Sequence, residues 1–340
     1  MQPITIRDIA KRSGVSTGAV SYALNGRPGV SEETRARVLR VAEELGWAPS
    51  SAARSLSGSR TDTFGLILAR DPKTLGSESF YMQFISGIET ELTKHSYGLL
   101  LQVVPDIDAE IRAYRRWQAA RRVDGVVVVD LTLDDPRIEL LSAPGAVPAV
   151  VVGDPSLAGS LTSVWTDDAT AMKEAVRYLA TVGHRRIARI SGPASLGHTV
   201  IRDKAFLKET SDVGVNGDII HTDYTPQQGG AATRVVLSSA DRPTAIIFDN
   251  DIMAFAGLGV ANEMGLSVPA DISIIAWDDS LLCEASYPPL TAMGHDVIGF
   301  GAHTARRLFD LIHGAEPGSF IDATPTLRAR GTTSRKAQDR

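Results

Sequence analysis

The 340-residue chain is 43% hydrophobic and 22% charged, an ordinary globular composition with room for two or three domains, which excludes a disordered, collagenous or fibrous protein. A single cysteine, Cys283, rules out an internal disulfide and a thiolate zinc cluster; no apolar run nears the ~20 residues of a membrane helix and no export signal opens the chain, so a cytoplasmic protein without a membrane partner is expected. The net charge of −5 is unevenly spread, with nine basic and five acidic residues in positions 1–60 against 26 basic and 35 acidic in the rest, a pattern that suits a nucleic-acid module joined to a different kind of body.

In positions 6–13, Ile6, Ile9 and Ala10 recur at helical spacing, and Gly14 supplies the freedom a tight turn requires. Ser16 is an N-cap for a second helix over 17–24, whose Val20, Ala23 and Leu24 share a face. Asn25 and Gly26 stop it. Ser31, Glu32 and Glu33 open a third helix, where carboxylates suit the positive end of the helix dipole; Val38, Val41, Ala42 and Leu45 form its apolar stripe, and Gly46 ends it. This spacing predicts a helix-turn-helix whose second helix turns a polar face toward the major groove. The segment 50–57 that follows Pro49 is too short for a stable isolated helix and reads as a conditional hinge.

Residues 4–58 resemble the DNA-binding head and hinge of the LacI/GalR family of bacterial transcription regulators. The likeness is carried by Thr5-Ile-Arg-Asp-Ile-Ala10, Gly14-Val-Ser16, Ala19-Val-Ser21, Leu24-Asn25, Val30-Ser31, Thr34-Arg35, Val38, Leu45-Gly46, Pro49 and Ala53-Arg-Ser-Leu56, in one unbroken register. The resemblance implies that Thr17, Gly18 and Tyr22 face base edges and that Leu56 wedges into the minor groove at the operator centre. It also implies DNA contacts from Thr5, Arg7, Ser16, Ser21, Asn25, Arg35, Ala53 and Arg54, with Arg7 and Arg35 on phosphates. Gly18 and Tyr22 differ from the polar or basic residues commoner at those positions.

From Thr63 onward short apolar runs alternate with amphipathic helices such as 80–95 and 107–121. The runs fall at 64–68, 98–103, 123–129, 149–152, 163–165, 186–190, 218–220, 245–248 and 272–276. Continuously apolar strands predict parallel sheets covered on both faces, hence two successive α/β lobes of Rossmann-like type. The run 290–293, a helix over 296–313 and an extended stretch near 319–330 follow. The resemblance extends here to the family's periplasmic-binding-protein-like core, and it implies that these last elements cross back to the first lobe before ending in the second. The resulting domain reading is a helix-turn-helix at 1–49, a hinge and linker at 50–61, a two-lobed effector-binding and dimerisation domain at 62–330, and a tail at 331–340.

Catalytic motifs are lacking. Gly257-Leu-Gly259 is followed by Asn262 where a dinucleotide fingerprint needs glycine, no phosphate loop or nucleophile elbow is present, and the seven histidines never adopt a zinc-ligand spacing. Neither cofactor nor enzyme activity is expected. In two-lobed α/β proteins ligands settle at the carboxyl ends of the strands, which singles out Asp154, Arg202, Asn250 and Asp278. Carboxylates, an amide and a guanidinium read vicinal hydroxyls, and Phe80, Tyr81, Tyr224 and Trp277 offer aromatic faces to a sugar ring. Each aspartate also suits a turn or a helix cap, so both roles stay open.

Family members that bind sugars carry an acid, Arg, Asn and Asp at the matching positions, which implies a sugar or sugar-derived effector. Purine-binding members have Arg and Thr where Leu196 and His198 stand here, and the resemblance places His198 in the effector site. The chain reads as a homodimeric repressor of a pseudo-palindromic double-stranded operator, since the closing residues 331–340 lack the leucine heptads of the family's tetramers. The alternatives are a regulator responding to a nucleoside or another non-sugar metabolite, a solute-binding protein and a sugar-processing enzyme.

Overall fold

The computed structural model describes residues 4–47, 60–71, 75–76 and 78–336. The expected hinge at 50–57, with the DNA contacts assigned to Ala53, Arg54 and Leu56, lies outside the described residues. The chain divides into two compact units, Met1–Thr61 and Asp62–Arg340. Among the described residues, no helix is long and apolar enough to cross a membrane.

The first unit holds α1 (Ile6–Ser13), α2 (Thr17–Leu24) and α3 (Glu32–Glu44). Local chemistry sets their ends. Thr5 donates its N–H and hydroxyl to Asp8 at 2.8 and 2.7 Å, and Gly14 closes α1 with a φ of 69°, a conformation that side chains resist. Ser16 and Ser31 accept the backbone N–H of Ala19 and Thr34, capping α2 and α3. Ile9, Ala10, Val20, Ala23, Val38 and Ala42 bury together, as their helical periodicity predicts.

In the second unit the first lobe is built from β1 (Thr63–Ala69), α4 (Ser79–Lys94), β2 (Gly98–Val104), α5 (Ile107–Ala119), β3 (Gly125–Val128), α6 (Pro136–Ser142), β4 (Ala149–Val152) and β5 (Thr162–Thr166). The second lobe follows with α7 (Asp168–Thr181), β6 (Arg186–Ser191), α8 (Gly197–Asp212), β7 (Asn216–His221), α9 (Pro226–Leu237), β8 (Ala245–Phe248), α10 (Asp251–Glu263), β9 (Ser273–Trp277), α11 (Leu281–Ala285) and β10 (Thr291–Gly294). Then α12 (Val297–Ile312) packs back on the first lobe, β11 (Ser319–Ala323) joins its sheet, and β12 (Thr326–Arg328) closes the second. The implied crossover is therefore present. Gly257 and Gly259 fall inside α10, as the helical pattern there requires.

The sheets run in the orders β11-β5-β4-β3-β1-β2 and β12-β10-β9-β8-β6-β7, with every pairing parallel except β10 with β12. Each sheet is covered by helices on both faces, so strands such as Phe64 to Leu68 and Ala245 to Phe248 are apolar without alternation. The crossover depends on one close contact. A Cβ at Gly87 of α4 would lie 2.0 Å from the Ile298 carbonyl oxygen of α12, and one at Gly301 of α12 would lie 2.1 Å from the Phe84 carbonyl oxygen. Two glycines thus let the helices touch backbone to backbone.

One expectation needs correcting. Residues 331–336 are not a free tail, because Thr332 exchanges hydrogen bonds with the backbone of Ile274 in β9 and Lys336 donates to the Val182 carbonyl. Thr332 is fully buried there.

Candidate functional site

On the first unit, Thr17, Gly18, Tyr22 and Asn25 are exposed along one side of α2, with Ser21 half-buried between them, and Arg7 is exposed on α1. The face that sequence reasoning assigned to base edges is therefore free of core packing. Thr5 and Ser16 also act as helix caps, and Asn25 turns its amide back to the Ser21 carbonyl at 2.8 Å. Arg35 stands apart from a phosphate-facing residue. Its guanidinium donates to the carbonyls of Ala23 at 3.1 Å and Arg27 at 2.9 Å, which ties α3 to the negative end of α2.

In the second unit, the carboxyl ends of the strands in both lobes face a cleft enclosing about 1070 Å³ of space open to solvent. It is lined by Phe80, Tyr81, Asp154, His198, Arg202, Tyr224, Asn250 and Asp278, all expected from the sequence. Trp277 is the exception. It ends β9 with its side chain in the core under α7 and α8, 1% exposed, and Arg202 covers its ring at 4.2 Å. Strand alternation explains this, since Trp277 turns to the helix layer while the next residue turns to the cleft. It supports the arginine by a cation–π contact and offers no face to a ligand.

Arg202, on α8, is the centre of a buried charge network. Its Nη1 donates to Asp249 at 3.0 Å, and its Nη2 and Nε lie 3.3 and 3.2 Å from the two oxygens of Asp168. Asp249 also accepts from Arg189 and from the Gly192 N–H, each at 3.0 Å. Burial alone would raise the Asp249 carboxyl, but Arg189 and Arg202 outweigh it and hold the group well below the usual carboxylate range. Gly192 is required here, because a Cβ would fall 2.1 Å from the Tyr224 ring.

A second cluster lies on the first lobe. Arg70, directly after β1, grips Asp130 with two hydrogen bonds of 2.9 and 3.1 Å, and Tyr81 donates to the same carboxylate. The Arg70 guanidinium also lies 5.3 Å from the ring of Tyr224, which belongs to the second lobe. Tyr224 bonds His198 through its hydroxyl at 2.7 Å. Burial, reinforced by the Arg202 cation, pushes the His198 imidazole down from its ordinary range.

The remaining expected residues divide by what they already hold. Asn250 caps α10 through Met253 N–H at 2.8 Å and donates to the Tyr224 carbonyl at 3.1 Å; Asp154 caps a short 3-10 turn through the Ser156 N–H. Asp278 is different. It stands just past β9 with a φ of 65°, and its carboxyl has no hydrogen-bond partner among the described residues. Burial pushes it up to about 8 against the opposing pull of Arg202. Sequence reasoning missed Arg70, Asp130, Asp168, Asp249 and Trp165 as cleft residues, although Arg70, Asp130 and Asp249 obey the same rule of standing just after a strand. Among the described residues no group of three His, Cys, Asp or Glu is placed to hold a metal ion.

Residues 5–50 match the family described as bacterial regulatory proteins, lacI family, and residues 176–333 match a periplasmic binding protein-like domain. The chain is 32% identical over 331 residues to the HTH-type transcriptional repressor PurR of Salmonella paratyphi B, covering 96% of each chain. The crystal structure of the Lac repressor dimer bound to operator and the anti-inducer ONPF superposes with a TM-score of 0.86 at 25% identity, over 98% of this chain and 100% of that one. The complex of the transcriptional regulator CelR with cellobiose superposes with a TM-score of 0.74 at 30% identity, over 97% and 99%.

Proposed function

The chain belongs to the lacI family of bacterial regulatory proteins and is a DNA-binding transcriptional regulator, and on that premise we propose that a sugar or sugar derivative in the cleft sets its operator affinity. The observation that carries the sugar reading is the convergence of Arg202, Asp278 and Asp168 with Phe80, Tyr81 and Trp165 around one cleft. Fixed guanidinium and carboxylate groups suit vicinal hydroxyls, and aromatic rings suit the apolar face of a pyranose. The cellobiose complex of CelR supports the same class of effector.

On the DNA side, Thr17, Gly18 and Tyr22 read base edges and Arg7 takes a phosphate. Leu56 wedges the operator centre, with Ala53 and Arg54 beside it. The protein acts as a repressor and works as a homodimer, in keeping with the Lac repressor dimer it resembles. The relatives it matches are regulators rather than enzymes.

A thermal-shift screen of sugars, polyols and nucleosides on the full chain tests the effector class. The expected result is that a sugar raises the melting temperature. A nucleoside that does so while every sugar fails contradicts it.

A further inference from the structure

We infer that the effector carries a protonated amine, and that Glu78, with Asp251 on the opposite lobe, selects for it. This rests on the sugar reading above and narrows it to amine-bearing sugars.

The carrying observation is Glu78, the residue before α4. Its side chain is only 10% exposed and lines the cleft, yet among the described residues its buried Oε2 has no hydrogen-bond partner. Oε1 lies 3.9 Å from Arg70, too far for a hydrogen bond, because that guanidinium is turned to Asp130 and Tyr81. A buried acceptor that the protein leaves unpaired calls for an explanation, and a donor brought by a ligand supplies one.

Charge identifies the donor. Among the described residues lining the cleft, seven are carboxylic acids and two are arginines. Arg70 serves Asp130, and Arg202 serves Asp168 and Asp249. Apart from Asp154, which caps the Ser156 turn, Glu78, Asp251 and Asp278 have no cation within hydrogen-bond distance, Arg70 standing 3.9 Å from Glu78. Asp251 is held by neutral donors alone, the hydroxyls of Ser79 and Ser280 and the Ile252 N–H. Burial raises all three carboxyls, Glu78 to about 7 and Asp278 to about 8.

A phosphate or carboxylate entering here pushes these carboxyls further toward their protonated form, whereas a cation draws them to the ionised one. A hydroxyl satisfies an acceptor but compensates no charge. An ammonium group does both, with donors to spare. The site also spans the lobes, since Ser79 of the first lobe bonds Asp251 of the second at 3.3 Å. A cation shared by Glu78 and Asp251 therefore favours one lobe arrangement, which is what an effector must do.

The test measures binding of glucosamine, galactosamine, mannosamine, 6-amino-6-deoxyglucose and a deacetylated chitobiose by calorimetry on the full chain. Each is compared with its neutral parent sugar and, where the amine permits, its N-acetyl form. At least one amine is expected to bind about tenfold or more tightly than its parent, the scale of a charged hydrogen bond. Glu78→Gln and Asp251→Asn, checked for folding by thermal melts, are each expected to shrink that preference, read as the ratio of amine to parent affinity within each variant. Neutral parents that bind as well as the amines overturn the inference and leave the sugar reading standing. Binding of no sugar at all, neutral or amine, overturns both. The preference within the wild-type chain decides the question even if a variant fails to fold.

Discussion

Asp278 carries a measurable signature in the ligand-free protein. A carboxyl raised from 3.8 to about 8 holds its proton more tightly folded than unfolded, so its contribution to stability is full at low pH and is lost as pH climbs between those values. Glu78, raised to about 7, acts in the same direction. Denaturant unfolding at pH 5, 6, 7 and 8 is expected to show falling stability, by at most about 1.4 kcal/mol per pH unit for each group. Asp278→Asn should flatten that fall, and an unchanged pH profile in this variant contradicts the buried, proton-holding role. Arg202 predicts the opposite kind of outcome. Its removal leaves Asp168 without its cation and Asp249 with Arg189 alone, so Arg202→Ala should cost about 3–5 kcal/mol of stability in the same assay, making it a poor probe of effector binding.

At the scale of elements, the sequence was most informative where periodicity and caps act locally. Ser16, Ser31 and Gly14 set helix ends by short-range chemistry, and unbroken apolar runs announced parallel strands. The cleft was legible only in part, because the direction a side chain takes after a strand depends on backbone turns that single residues do not advertise. Asp130, Tyr224 and Asp278 all have positive φ, which aims them into the cleft, while Trp277 one residue earlier belongs to the core. Arg35 shows the same limit, since only the fold reveals that the α2 carbonyls claim its guanidinium. Tyr22→Ala is expected to lose ~1–3 kcal/mol of discrimination at defined operator positions. Arg35→Ala should instead lower the melting temperature of the head. Binding titrations on base-substituted operators, with thermal melts, distinguish the two. Within the first lobe, Gly87→Ala and Gly301→Ala should each cost about 1–3 kcal/mol by overpacking. Because both meet in one helix contact, the double variant should cost less than the sum, as a denaturant-based double-mutant cycle would reveal.

For the molecule as a whole, the account makes the cleft a switch. An effector controls DNA only through a difference in its affinity for two lobe arrangements, typically about 1–3 kcal/mol of coupling. Several groups bridge the lobes directly, among them Ser79 to Asp251 and the Leu131 carbonyl to the Gly197 N–H at 2.7 Å, so a ligand seated between them bears on that balance. The central claim is tested by titrating the sugar identified in the screen into the operator complex of the wild-type chain and of Asp278→Asn, following operator affinity by fluorescence anisotropy. The wild-type affinity is expected to shift about 5–150-fold, the range that such a coupling produces, and the variant's to shift far less. An undiminished response in the variant, or a sugar that binds without moving operator affinity, contradicts the account.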